Sequence, residues 1–385
     1  MVIEKSLKSI LIERDEIIEA IVRGMLAKHN VLLLGPPGTA KSLTIKMVCQ
    51  HITGGQMFAT LMNKFSAPEE LFGPYSVVKM EEDIFERKTD GFLPDAHFAF
   101  IDEVFKGNAG VLNSLLSIMN ERVYYNGNTE MHLPLFSLIG ASNEVPDEDD
   151  GLEAYYDRFH IKTTANYIQE TAGFARMLGT NYAKFRPEVY LTLEEIHELQ
   201  AAVEAIEVPG LVIEKILTLR NTFKTEGIGV SDRTWNESLN AVKANALMRG
   251  KTKVEERDLE FLKNMLWSNP EEQDKATDII YEEVNPDKQE ALKLVMIAKD
   301  VLAKIEKNTT TKDKLSEAIG GAAKIKDLRA SFTDIQRKRA KYAETDDDLD
   351  IFGRQLQEIA QKLVKIVGYD GTGLDFTARA PKKKR

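Results

Sequence analysis

Two hydrophobic rhythms alternate along the first part of this chain, one of helical period and one of short unbroken apolar runs, and each change of rhythm marks an expected element boundary. Ile10, Leu11, Ile17, Ile18, Ile21, Val22, Met25 and Leu26 form a helical stripe that predicts one amphipathic helix or a helix pair over residues 7–28. Val31 to Leu34 is a four-residue apolar run that reads as a buried strand. Leu43, Ile45, Met47 and Val48 then restore a helical pattern. Residues 58–62 predict a second strand. Ser66 with Glu69 three residues later predicts a capping box opening a short helix, with Pro68 in its first turn. Residues 97–101 form another apolar strand, ending in Asp102 and Glu103. Residues 110–122 carry Val111, Leu112, Leu115, Leu116 and Met119 at helical spacing. Asn126-Gly127 predicts the turn of a hairpin over residues 124–136. A buried strand at 137–142, a short helix at 153–159 and a last strand at 161–162 complete an α/β pattern.

From residue 167 to Trp267 the strand signals fade, and helices are predicted at 168–177, 193–205, 211–225, 233–249 and 256–267. Beyond Pro270 the chain is more charged and wholly helical. Leu349, Phe352, Leu356, Ile359, Leu363 and Ile366 are spaced 3-4-3-4-3, a heptad stripe. Ile325, Leu328, Phe332 and Ile335 give a second stripe, and Leu294, Ile297, Val301 and Ile305 a third. They predict a small bundle broken at Asn308 to Thr311 and at Gly320-Gly321, with an intramolecular bundle favoured over a partner-binding coiled coil. The expected domains are therefore an α/β core over 1–166, an all-α lid over 167–268, a helical region over 269–368 and a disordered basic tail over 369–385.

The chemistry concentrates where the first apolar run meets the first restored helix. Gly35-Pro36-Pro37-Gly38-Thr39-Ala40-Lys41-Ser42 lies between strand and helix, the order that a phosphate-binding loop requires. Backbone N–H groups and the helix dipole favour an anion there, Lys41 can reach the β/γ-phosphates, and the Ser42 hydroxyl can ligate Mg²⁺. The spacing fits GxxxxGK[ST] except that Ala40 stands where the second glycine is expected. Leu43 opens the helix directly behind the loop. Asn30, just before the strand, is equally well a base contact or a strand cap. About sixty residues after the loop, Asp102 supplies a carboxylate for Mg²⁺ and Glu103 one to orient the attacking water. Asn143, at the end of the strand over 137–142, lies beside Asp102 if the two strands are neighbours. Arg158 suits a finger that completes a neighbouring subunit's site, with Arg122 the runner-up. Arg233 falls in the first turn of a helix capped by Ser231, where a cation calls for an anion, either a nucleotide phosphate or a nearby carboxylate.

Composition adds limits. With 43% hydrophobic and 29% charged residues over 385 positions, the chain has the makeup of a globular protein of two or three domains. A net charge of -10 argues against a surface devoted to nucleic acid. Cys49 is the only cysteine, so no internal disulfide forms; with no signal peptide and no apolar run of membrane-spanning length, a cytoplasmic location is expected.

GPPGTAKS, FAFIDE, the strand ending at Asn143, YYDRF and SDR together resemble an AAA+ ATPase of the MoxR group. Residues 61–74 (LMNKFSAPEELFGP), 91–106 (GFLPDAHFAFIDEVFK), 112–127 (LNSLLSIMNERVYYNG) and 140–146 (GASNEVP) are similar to RavA-type members in particular. The β-rich insertion that RavA proteins carry in their C-terminal helical region has no counterpart here. The resemblance implies a P-loop core with a helical lid, ATP and Mg²⁺ as cofactors, and a homo-oligomeric, hexameric ring. It implies that Lys41 and Ser42 are Walker A, Asp102 and Glu103 Walker B, Asn143 sensor 1, Arg158 the arginine finger and Arg233 sensor 2. It also implies that 77–90 and 124–136 face a central pore, and that a partner with a von Willebrand A (VWA) domain is remodelled. A nucleic-acid motor is the alternative, and Lys79, Arg87 and Lys88 set against Glu81, Glu82, Asp83, Glu86 and Asp90 disfavour it.

Overall fold

The computed structural model of the chain describes residues 2–146, 151–307, 311–340 and 347–367, which form two compact units, 1–280 and 281–385. Among its described residues the first unit has nine strands: β1 (Val31–Leu34), β2 (Ile52–Thr53), β3 (Met57–Leu61), β4 (Phe98–Asp102), β5 (Val123–Asn126), β6 (Thr129–His132), β7 (Ser137–Ser142), β8 (Ile161–Thr164) and β9 (Leu191–Thr192). Five of them build one sheet in the order β3-β4-β7-β1-β8. Every pairing in it is parallel, with Val31 opposite both Ile139 and Ile161, and Phe98 opposite both Met57 and Ser137. All four residues of β1 and all six of β7 are buried, as expected of parallel strands covered on both faces, and this is why they read as unbroken apolar runs. Parallel pairing needs crossovers, and helices Lys41–Gln50 and Ala109–Glu121 supply two of them. Because β1 sits inside the sheet with its successor at the far edge, its C-terminal end lies beside a topological switch point, where α/β sheets hold ligands.

The fold modifies several expectations. The N-terminal stripe is a helix pair, Val2–Ile10 and Asp15–Ala27, parted by Glu13 at φ +52°. The short helix runs Pro68–Phe72 and starts one residue later than the Ser66 signature implies. Glu70 accepts the Ala67 N–H, while the Ser66 hydroxyl accepts the Asn63 N–H and closes the preceding turn. Residues 77–90, which lack periodicity, form an ordered excursion with one helical turn at Val77–Met80, an antiparallel bridge between Tyr75 and Arg87, and a bond from the Lys88 N–H to the Pro74 carbonyl. The β5–β6 hairpin is fastened to it, since the Arg87 N–H donates to Asn126 Oδ1 at 2.6 Å and Asn126 Nδ2 donates to the Arg87 carbonyl at 3.0 Å. The two-residue parallel pair β2–β9 has too short a pattern to be seen in sequence.

In the second unit, helices Pro286–Lys307, Thr311–Ala340 and Asp347–Val367 bury one cluster that includes Val295, Ile305, Ile325, Phe332, Leu356 and Leu363. The three stripes therefore pack on one another within the chain. Ile297 is exposed, because the buried face of its helix follows Ala291, Val295, Ala298 and Leu302 instead. Gly320-Gly321 does not break the bundle: one helix runs through it. A Cβ on Gly321 would stand 2.7 Å from Ile305 Cδ1, so the missing side chain lets two helices approach closely. Of the break expected at 308–311, Thr311 opens a helix, while residues 308–310 and the basic tail from 369 onward lie outside the described residues.

Candidate active site

The loop after β1 is shaped by two glycines and one residue that is not glycine. The Gly35 N–H donates to the Ser142 carbonyl at the end of β7, and a Cβ on Gly35 would stand 2.2 Å from the Ala165 carbonyl oxygen. Gly38 has φ +79° with open space where a side chain would project. Ala40 is held at φ +63°, ψ +22°, the left-handed conformation that suits the glycine of the usual pattern and that costs an L-residue roughly 1–2 kcal/mol. Thr39 Oγ1 donates to the Pro36 carbonyl, and Arg14 Nε donates to the Thr39 carbonyl at 2.7 Å, so a buried arginine braces the loop from the N-terminal segment. Lys41 Nζ folds back onto the carbonyls of Gly35 (2.5 Å) and Pro36 (3.1 Å). Burial lowers the Lys41 pKa, and Asp102 and Glu103 oppose that shift through their charge, which places the cation and the two acids in one electrostatic field.

Pairing of β4 with β7 meets the condition set for Asn143 and brings the acids and the strand-end amide together. Asp102 ends β4, and its Oδ1 accepts the Glu103 N–H at 3.1 Å. Asn143 Nδ2 donates to Glu103 Oε1 at 3.1 Å, and Lys106 Nζ forms an ion pair with Oε2 at 3.0 Å. Glu103 itself is at φ +52°, a strained backbone position of the kind that gathers at functional sites.

Sequence patterns missed a neighbouring pocket. A cavity of about 340 Å³ opens against Gly38, Ala40 and Leu43 and is walled by Leu11, Ile12, Arg14, Tyr167, Ile168, Phe174, Met177 and Tyr182. Apolar walls beside a phosphate loop suit a nucleobase. The wall from the 167–182 segment is tied to the N-terminal segment by Glu13, whose carboxylate accepts the N–H groups of Gln169 (2.7 Å) and Glu170 (3.0 Å). The break in the helical stripe at residues 11–14 is the one signal in the sequence that could have marked it.

Three predicted residues lie elsewhere. Asn30 is at the N-terminal end of β1, opposite the loop, and is spent on the fold: Nδ2 donates to the Met119 and Arg158 carbonyls and Oδ1 accepts from Arg122. These bonds are those of the strand-cap reading. Arg158 precedes β8 at that same end, partly buried, with Nε unpaired; burial first and Arg233 second lower its pKa. Arg233 stands 4.0 Å from Asp157 Oδ2, and Ser231 Oγ also donates to Asp157, so the anion beside this helix start is a carboxylate of the same chain. The length of β1, about 13 Å for four residues at ~3.3 Å each, separates both arginines from the chain's own loop. Arg122, the alternative finger, is half-buried and bonded to Asn30 and to the Ile118, Met119 and Lys28 carbonyls, and desolvation pushes its pKa down to about 10.

Comparison with known proteins agrees with this geometry. Residues 1–201 match the family described as the MoxR domain in the MoxR-vWA-beta-propeller ternary systems, and residues 211–280 match an AAA lid domain. Two uncharacterized proteins of Methanocaldococcus jannaschii are similar to the chain. One is 36% identical over 271 residues, 70% of this chain and 72% of that protein, and the other is 33% identical over 300 residues, 78% of each. Chaperone MoxR1 of Mycobacterium tuberculosis is 28% identical over 164 residues, 42% of each chain. A solved candidate ATPase from Cytophaga hutchinsonii has a TM-score of 0.58 at 18% identity, covering 74% of this chain and 93% of that one, a likeness of fold alone. Since the first family spans 201 of 385 residues and the lid follows directly, this chain belongs to the MoxR group of AAA+ ATPases.

Proposed function

We propose that the chain hydrolyses ATP in a hexameric ring of identical subunits, in which each subunit's loop is completed by the next subunit's arginines. One observation carries this reading: Arg158 and Arg233 cluster at the edge of the sheet opposite their own phosphate loop. In this reading Gly35, Pro36, Pro37, Gly38, Thr39, Ala40 and Lys41 hold the phosphates, and Ser42 and Asp102 hold Mg²⁺. The metal supplies charge neutralisation to the bound phosphates. Lys41 leaves the loop carbonyls for a phosphate oxygen, Glu103 orients water, Asn143 fixes the Glu103 carboxylate, and Arg158 acts in trans with Arg233 beside it. Leu43 and the apolar cavity hold the base. The chain then works as a core over 1–166, a lid over 167–268 and a helical region over 269–368.

The substrate of the motion is, on this reading, a protein with a VWA domain. The matched family is described from systems that pair MoxR with vWA proteins, and the likeness to RavA rests on the four quoted segments alone. The excursion at 77–90 supports a protein partner, because Val77, Val78 and Phe85 are 67%, 64% and 60% exposed. Its Arg87 is engaged by Glu69 at 2.9 Å and stacked 4.0 Å over Tyr75, which leaves the strip more acidic still. No helix among the described residues is long and apolar enough to cross a membrane. Steady-state ATPase measured against protein concentration, with and without DNA or RNA at low and high salt, tests both parts. Specific activity should fall on dilution and ignore the polymers. A dilution-independent monomer would remove the shared site, and several-fold stimulation by a polymer, lost at high salt, would replace the protein partner with a nucleic acid.

A further inference from the structure

Away from the nucleotide loop, three ligand-type side chains from three segments converge. His29 precedes β1, His160 precedes β8, and Glu237 lies on the lid helix Asp232–Met248. One ligand atom from each lies within 4.8 Å of the others. His29 Nε2 is 2.9 Å from the Glu237 carbonyl oxygen. A carbonyl only accepts, so Nε2 carries the proton and Nδ1 presents its lone pair, 3.9 Å from Glu237 Oε2. This is the arrangement that fixes the tautomer of a metal-binding histidine, with its outer N–H on a backbone carbonyl. His160 meets the His29 ring edge-on at 4.9 Å between centroids, and both of its ring nitrogens are buried without a hydrogen-bond partner. Leaving such a group unpaired costs roughly 1–3 kcal/mol, and nothing in the nucleotide chemistry uses it.

We propose that His29 Nδ1, a ring nitrogen of His160 and the Glu237 carboxylate bind one Zn²⁺, with water in the fourth position. Two imidazoles and a carboxylate are a zinc donor set, and bonds of about 2.0–2.1 Å place tetrahedral ligands about 3.4 Å apart. Side-chain rotations that shorten the widest separation, up to 4.8 Å, by about 1.4 Å close the observed cluster to that spacing. Burial, the largest cause in each case, takes His29 down to about 4 and His160 to about 3, so both rings are neutral and able to ligate. Lys162, Arg122 and Arg233 bear on His160 with positive charge and oppose a cation, and Glu237 is the group that offsets them. The ion joins the sheet to the lid helix. Glu237 is one turn along that helix from Arg233 and His160 is two residues past Arg158, so the site sets the pose of both arginines, an effect that rests on the trans reading above.

The test uses the full chain without a histidine tag, stripped with chelator and titrated with Zn²⁺ by calorimetry, alongside metal analysis of the untreated protein. One Zn²⁺ per chain should bind and raise the melting temperature, and Co²⁺ in its place should give the visible bands of a four-coordinate centre. Glu237→Gln and His160→Gln should each weaken binding about 10-fold or more. If His160→Gln does not fold, Glu237→Gln, altered at a partly exposed position, carries the comparison. No binding to the wild-type chain, or equal binding by folded Glu237→Gln, would overturn the site. Both outcomes are read as metal binding and not as ATP hydrolysis, so failure of the shared-site reading would be seen separately.

Discussion

Arg158 is the finger candidate that the sequence favours and Arg122 the runner-up, and their surroundings predict opposite behaviour on truncation. Arg122→Ala removes the partner of Asn30 Oδ1, a buried acceptor with no other bond, and empties the space of a half-buried guanidinium that also bonds the Lys28, Ile118 and Met119 carbonyls. The Ile118 and Met119 carbonyls keep other donors, namely the residue 122 N–H and Asn30 Nδ2. One unpaired buried acceptor costs about 1–3 kcal/mol, and with the lost packing the total should be about 3 kcal/mol. In a domain of this size that lowers the thermal midpoint by roughly 6–12 °C. Arg158→Ala, by contrast, forfeits one bond to the Ala154 carbonyl and frees an Nε that has no partner, so stability should change by less than about 1 kcal/mol. Its hydrolysis should fall by roughly 10³–10⁵ while ATP binding persists. Urea unfolding followed by circular dichroism, with ATPase on the same samples, reads both. A stable, inactive Arg122→Ala beside an active Arg158→Ala would refute the reasoning.

Three further outcomes follow from the site and its flanks. Glu103→Gln should bind ATP normally and hydrolyse it ~10²–10⁴-fold more slowly, because only the water-orienting charge is lost; near-normal turnover would remove Glu103 from that role. Cys49 has its pKa pushed up to about 12 by burial, against an ordinary value of 9.0. At pH 8 a thiol reagent should therefore label it about 10³-fold more slowly than a free cysteine, and unfolding should abolish the difference. The raised value means that the folded state favours the neutral thiol: this contribution is complete below pH 9 and is lost as the pH climbs toward 12. Cys49→Ala should flatten that part of the alkaline stability profile, and an unchanged profile would contradict the burial effect.

The phosphate loop, the two acids and Asn143 were legible because each is local: an apolar run fully buried on both faces, followed at once by residues with a specific backbone or charge requirement. Their convergence followed from one topological fact, the adjacency of β4 and β7. The base cavity was not legible, since Leu11, Ile12, Tyr167, Phe174 and Met177 are ordinary core residues in any local window and meet only through the fold. Asn30 and Arg233 show the same limit for polar groups. A sequence says that such a group needs a partner, and only the structure showed that Asn30 serves the carbonyls of Met119 and Arg158 and that Arg233 faces Asp157. Gly320-Gly321 misled for a related reason: glycine marks breaks and close helix contacts alike, and the proximity of Ile305 decides between them.

The central claim is that the catalytic site is divided between subunits, and mixing two inactive variants tests it most directly. Lys41→Ala lacks the loop cation but keeps Arg158; Arg158→Ala lacks the finger but keeps the loop. Each alone should be inactive with Mg-ATP. Mixed one to one, an intact loop meets an intact finger at about one interface in four, so activity should return to roughly a quarter of the wild-type rate. A mixture that stays inactive, with both variants shown by light scattering to assemble together, would contradict a shared site.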